Sequence, residues 1–445
     1  MSATITKGRK HFGASGEPFI LTVAGETVYV VTSPDDVNGA WNKSQAISLQ
    51  PIVEEIYSMV GISEKSKKPL VTVHEGAKYN KGMAKPLHPT DMINELHWQT
   101  LRNGPLLDEM MRNSTIPAMS KKLEFAQGVD STYPITISLF DLCVDIFIGM
   151  DTDTYFGPKL RKLEPDLVRA FKSWEYSNWQ LIYQVPEFFS KEVRAAKHTL
   201  IDAFTRYFKT PRSERPGAIL FVTALEDMLR ELGLAESDIG KFMLPHYMAI
   251  FANVWKVGFW VVARLAHNPL LLQNIREEVA PAVQGDEIDE TYLLDQCPKL
   301  HSLFNETLRL TVQHSLNRMV VEPTVIGGKL LQPGHRIMLP INELHLEVET
   351  WGKDSESFAP NRFVDDPKLA KSSSYRPWGG GSTVCPGRFF ARRAINAFVA
   401  LLVTRYELEA ESENFPTADT SRPSPGAVLI GQGQDVKMRC TPRTQ

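Results

Sequence analysis

One of the four cysteines, Cys385, stands in the run Trp378-Gly379-Gly380-Gly381-Ser382-Thr383-Val384-Cys385-Pro386-Gly387-Arg388. Glycines lead the chain to a thiol just before a stretch with helical spacing. The free backbone N–H groups and the dipole at a helix N-terminus favour thiolate over thiol. Glycines also let backbone come close to a flat ligand. A thiolate on an open loop suits axial ligation of heme iron, where it pushes electron density toward O–O cleavage. A glycine-rich turn with an incidental buried cysteine fits the same run, so this loop alone leaves both readings open.

A second cluster narrows the choice. Glu306-Thr307-Leu308-Arg309 places opposite charges at i and i+3 on one helix face, among Leu303, Phe304, Leu308 and Leu310. Such pairs on solvated faces carry no information, but a buried pair needs a third partner to satisfy it. Arg362, in Pro360-Asn361-Arg362-Phe363, offers one. Cys143, Cys297 and Cys440 lack CxxC or metal-knuckle spacing, so the cysteines form no disulfide framework and imply a reducing compartment.

The surrounding elements read as mainly α with small β-sheets. Residues 18–35 alternate apolar and polar about a Gly-Glu turn, a β-hairpin followed by a helix start at Ser33-Pro34. Helical spacing then dominates from about 90 to 315, as in 218–233, 239–267 and 294–310. Short β segments return over 318–345, a helix is expected over 386–403, and a last hairpin around Gly431-Gln432-Gly433. No repeat or linker divides the chain. One domain is expected, with a β-rich part at 15–90, a helical core at 90–315, and β segments with the cysteine loop at 316–445.

Composition excludes several classes. The 445 residues are 43% hydrophobic with 49 basic against 52 acidic side chains, a net charge of −3. That rules out disorder and disfavours a nucleic-acid binder. The segment Phe242–Ala266 is long enough to span a bilayer, but Pro245, His246, Asn253, Lys256 and Arg264 make it a buried helix of a globular core. Met1–Phe12 is polar and basic with no signal-peptide core.

Together these landmarks resemble the cytochrome P450 family. The family's FxxGxxxCxG loop is matched from Trp378 to Gly387 with Trp for Phe, its ExxR by Glu306 and Arg309, and its PxRF element by Pro360–Phe363. The resemblance runs from about residue 15 to the end. It implies a triangular fold with heme b between a distal and a proximal helix. Cys385 is then the iron ligand, Trp378, Gly379 and Gly387 shape its loop, and Glu306, Arg309 and Arg362 hold that loop in place. Arg318 falls where the family contacts a heme propionate. Thr383 stands where Arg or His is usual, offering a hydrogen bond without charge. His97, Trp98 and Arg102 fall where a helix meets the heme edge, though an ordinary amphipathic helix reads equally well.

The distal helix departs from the family. Counting back from Asn268-Pro269 puts Asn253 at the usual acid position and Val254 at the usual threonine. An asparagine in this helix resembles the branch with prostacyclin synthase and the sterol 7α- and 12α-hydroxylases, and fungal enzymes of secondary metabolism share the same texture. Positioned proton donors contribute about 10²–10⁴-fold where they operate. Asn253 reads equally as a helix-kink residue or as a ligand-binding one. Trp255 and Lys256 are expected to face away from the heme.

Fold likeness places His246, Tyr247, Ile250, His314, Leu316 and Leu429 around a small lipophilic substrate. Arg376, Arg388, Arg392 and Arg393 suggest a basic face for an acidic electron donor, NADPH–cytochrome P450 reductase. Eukaryotic members begin with a membrane helix, so an anchor ahead of this sequence and a monomer on the cytosolic face of the endoplasmic reticulum are expected. The expected activity is O₂-dependent oxidation of a lipophilic fungal secondary metabolite, with rearrangement, desaturation or coupling as candidate outcomes. The alternatives are an isomerase or lyase acting on a peroxide without external electrons, and a heme-binding protein without turnover.

Overall fold

The computed structural model describes residues 2–11, 16–23, 25–81, 83, 85–124, 134–422 and 424–443. Met1 and Phe12 of the expected basic N-terminal segment lie outside these. The fold is mainly helical with small sheets. The first hairpin pairs Phe19–Val23 with Glu26–Val30, Phe19 opposite Val30. Ser33 then caps the helix Pro34–Asn42, its hydroxyl accepting from the N–H of Asp36 at 3.2 Å. The hairpin joins a five-stranded sheet through a parallel ladder to Arg336–Pro340, which pairs antiparallel with Ser315–Val320. That last strand carries Leu316 and Arg318 toward the cysteine loop.

The chain opens on a helix that the sequence did not announce, and one expected hairpin near the other end is absent. Ser2–His11 forms a helix, because Ile5 buries against Phe19, Val28, Val30 and Met338. At the other end, no hairpin turns at Gly431-Gln432-Gly433. Residues 417–419 pair back onto 429–431, through Asp419 N–H to Leu429 O and Gly431 N–H to Thr417 O, both 2.8 Å. Lys437–Pro442 pairs with Tyr406–Ala410 instead, because Met438 and Cys440 share a buried face with Tyr406 and Leu408.

The expected single helix over 239–267 is two helices, Glu236–Phe251 and Val254–Ala266, interrupted at Ala252-Asn253. The stretch Glu236–Ala266 is long and apolar enough to cross a membrane, yet it runs through the protein core. Its charges are accommodated there. Lys256 Nζ lies 2.6 Å from Glu175 Oε1, both side chains buried, at an angle short of a hydrogen bond. Arg264 stacks between Phe358 and Phe415, at 4.2 and 3.9 Å from the ring centres, and burial lowers it to about 10. Pro298–Thr311 and Arg388–Arg405 complete the core around this broken helix.

Candidate active site

The cysteine loop is shaped by close approach. Gly379 and Gly381 sit at φ +76° and +62°, where a side chain is strained. A Cβ on Gly380 would lie 2.6 Å from the Trp41 ring, so only glycine fits there. Cys385 N–H closes the loop onto Trp378 O at 2.9 Å, and the Trp378 ring lies parallel to Phe304. Leu316 packs beneath Gly379.

The N–H groups of Gly387 and Arg388 and the Arg388 guanidinium pull the Cys385 thiol toward its anion, as a helix start should. Burial is the larger effect and raises the thiol above its ordinary value. A cation or metal beside the sulfur is therefore needed to make the thiolate the resting form.

Cys385, His97 and His246 are surrounded by protein on all sides yet are only half-buried by surface area. Ala249 is exposed although it sits in the last turn of a helix that runs through the core. Residues hemmed in by protein that still present open surface line an internal cavity. It lies between the Glu236–Phe251 helix and the cysteine loop.

The residues fit a flat, dianionic group with a metal at its centre. Arg318 is buried, and among the described residues no carboxylate pairs with it. It donates to Asn317 O at 2.8 Å and to Thr383 Oγ1 at 2.6 Å, and burial lowers it to about 10. A cation so placed calls for an anionic ligand. Arg376 Nε is likewise buried without a partner. Thr383 therefore ties Arg318 to the loop. Trp98 stacks on the Arg388 guanidinium at 4.6 Å and meets Phe389 edge-on. Arg102 does not join this group; it is exposed at the end of its helix.

Glu306 and Arg309 form the buried pair that their apolar neighbours imply. Arg309 Nε and Nη2 each meet a Glu306 oxygen at 2.7 Å, and Arg362 Nε donates to Glu306 Oε1 at 3.1 Å. Arg309 Nη1 also donates to His345 O at 2.7 Å and Ser355 O at 2.5 Å. The His345 ring passes the connection on, its Nε2 accepting from Arg376 N–H at 3.0 Å, two residues before Trp378. His345 is the link that sequence reasoning missed.

Asn253 occupies the helix break. Its Oδ1 accepts from Ala427 N–H at 3.0 Å, so the amide holds a distant strap rather than a freed carbonyl of its own helix. A Cβ on Gly426 would lie 2.0 Å from that oxygen, which explains the glycine. Val254 begins the next helix and offers no hydroxyl.

The expected pocket residues separate. His246 and half-buried Ile250 lie on the helix beside the cavity, whereas His314 is buried within reach of the Arg318 charge. Tyr247 does not line it. Its hydroxyl bonds Thr152 Oγ1 at 2.6 Å and its ring packs on Phe171, Phe204 and Phe251, a core position. Leu429 lines a small cleft with Glu175, Tyr176, Lys256 and Arg422, beside the buried ion pair. The basic face contracts too. Arg393 is buried between Asp108 and Glu290, Arg376 donates to Asn38, and Arg392 lies over Phe304.

Comparison with known proteins agrees with this geometry. A family model described as Cytochrome P450 matches residues 7–438. Cytochrome P450 monooxygenase nodJ of Hypoxylon pulicicidum is 24% identical over 68% of this chain and 62% of its own length. Cytochrome P450 monooxygenase calL of Penicillium decumbens is 33% identical over 48% of this chain and 45% of its own. The human 7-alpha-hydroxycholest-4-en-3-one 12-alpha-hydroxylase is 26% identical over 78% of this chain and 75% of its own. The matched stretch thus spans less than two thirds of nodJ and calL. With the cysteine loop, the buried Glu306–Arg309–Arg362 cluster and a family match over nearly the whole chain, the protein belongs to the cytochrome P450 family.

Proposed function

We propose that this protein is a heme-thiolate oxidoreductase that oxidises a lipophilic fungal secondary metabolite. Cys385 would hold the iron of heme b, and Arg318 and Arg376 would face its propionates. The observation that carries this reading is the Cys385 sulfur, addressed by two backbone N–H groups at the wall of an internal cavity. When bound, the heme supplies O₂ activation with electrons from NADPH through a reductase. The chain's own work is to hold the sulfur by the Gly387 and Arg388 N–H groups and to neutralise an anionic edge at Arg318. The proposed setting is a monomer on the cytosolic face of the endoplasmic reticulum, a reducing compartment that suits scattered cysteines without a disulfide framework.

A second reading has a specific observation in its favour. At the helix break Asn253 is committed to Ala427 and Val254 has no hydroxyl, so neither supplies a proton. A rearrangement of a preactivated substrate, needing no electron donor, suits that site. Cys385→Ala tests the shared premise: the thiolate-type carbonyl Soret band should disappear, and its survival would overturn both readings. Product formation with and without NADPH separates them.

A further inference from the structure

Two half-buried imidazoles on two different helices lie beside the cavity, and neither is used by the arrangement described so far. His97, on the helix Pro89–Leu101, stacks on Phe221 with ring centres 3.8 Å apart. His246, on the helix Glu236–Phe251, lies against Phe242 at 4.5 Å. The aromatic contacts fix the plane of each ring. The rings are near enough that a charge on His246 would be felt at His97.

Among the described residues neither ring hydrogen-bonds to protein. His97 Nδ1 and His246 Nε2 are sealed from any open space and unpartnered. A sealed N–H without an acceptor is the costlier orphan, whereas a sealed lone pair is tolerated. Each neutral ring therefore carries its proton on the other nitrogen, His97 Nε2 and His246 Nδ1, the ones left to face the cavity. Burial lowers the two rings to about 3 and about 4, so both are neutral at physiological pH. The result is two neutral N–H donors, on different helices, at the cavity.

We infer that His97 and His246 form a two-donor seat for a carbonyl oxygen on an otherwise apolar substrate. This rests on the proposed function. Two neutral donors suit an uncharged acceptor, since burying a carboxylate calls for a cation. A heme propionate offers the same acceptor chemistry, and Arg318 already answers its charge. The seat gives the enzyme a handle on orientation, because a carbonyl fixed at one end selects which carbon reaches the reacting centre.

The test uses the heme-loaded protein with three probes, dodecan-2-one, dodecanoate and dodecane, and reads dissociation constants by tryptophan fluorescence. Dodecan-2-one should bind at least about 10-fold tighter than dodecane, as one or two neutral hydrogen bonds allow. His97→Phe and His246→Phe keep the ring stacking and remove the donor. Each should cut ketone affinity by about 3- to 10-fold, leave dodecane and heme content unchanged, and leave the melting temperature equal or higher. Equal binding of ketone and alkane, tighter binding of dodecanoate than of ketone, or no binding of any probe overturns the seat. Heme loss in both Phe variants assigns the rings to the propionates and also overturns it. Absence of the carbonyl band in the unmutated protein overturns the proposed function instead, and fluorescence still reads the ketone preference independently.

Discussion

Replacing Arg309 by alanine should release the cysteine loop at a cost that the contacts set. The guanidinium makes two bonds to Glu306 and three to backbone carbonyls, of His345, Ser355 and Ser357, in a setting with no solvent contact. Truncation leaves Glu306 with Arg362 at 3.1 Å and Ala359 N–H at 3.0 Å as its remaining partners. Breaking a buried pair costs about 3–5 kcal/mol, and each stranded carbonyl adds about 1–3 kcal/mol unless water reaches it. With water reaching two of the three carbonyls, a loss of about 4–8 kcal/mol is expected, against a total stability of about 5–15 kcal/mol. Urea unfolding gives the number, and heme content reports the Cys385 loop. The loop should suffer first, because His345 O and His345 Nε2 sit between Arg309 and the Arg376 backbone. Glu306→Leu with Arg309→Met removes both charges and should recover at least about 1 kcal/mol relative to Arg309→Ala. A loss below about 1 kcal/mol with full heme content would refute the reasoning.

Three further outcomes are expected. Gly426→Ala pushes a methyl to 2.0 Å from Asn253 Oδ1 and should cost about 1–3 kcal/mol, with Asn253→Ala restoring most of it; additive losses in urea unfolding would sink the contact. His97, His246, His314 and His345 are lowered by burial to about 3, 4, 4 and 3, so their contribution is complete above about pH 6.5 and is lost as pH falls toward 4. At pH 5.5 that is about 1.4 kcal/mol each, about 6 kcal/mol together, and an unfolding stability that is flat between pH 7.5 and 5.5 would contradict it. Lys256→Met strands Glu175, whose carboxyl burial already holds above its ordinary 4.5, and should cost about 3–5 kcal/mol at pH 7. That loss grows as pH rises from about 4.5 through the raised value, since the acid must ionise unpaired; the added Glu175→Gln should abolish this pH dependence.

What was legible in the sequence is what depends on local spacing. The cysteine loop, the i, i+3 pair of Glu306 and Arg309, and the Ser33 cap are each written within a dozen residues, and each stands where its spacing puts it. Pairings across the chain were not legible. Nothing local to Trp41 announces the ring under Gly380, and nothing local to Gly426 announces Asn253, 174 residues from its partner Ala427. Tyr247 was misplaced for a related reason. A helix face inferred by likeness tells roughly which side is inward, but the Thr152 hydroxyl decides whether inward means cavity or core.

The strap 424–430 draws together chain that is made at very different times. It takes the Asn253 amide at Ala427, accepts from Trp260 Nε1 at the Val428 carbonyl, and bonds Thr311 and Gln313 through Val428 N–H and the Gly426 carbonyl. During translation the helix break at Asn253 is thus left unlatched until Ala427, 174 residues later, has been made. Until then the Trp260 indole and the end of the Pro298–Thr311 helix also lack these partners, so forming the core helices and fastening them to one another are events the order of synthesis can separate.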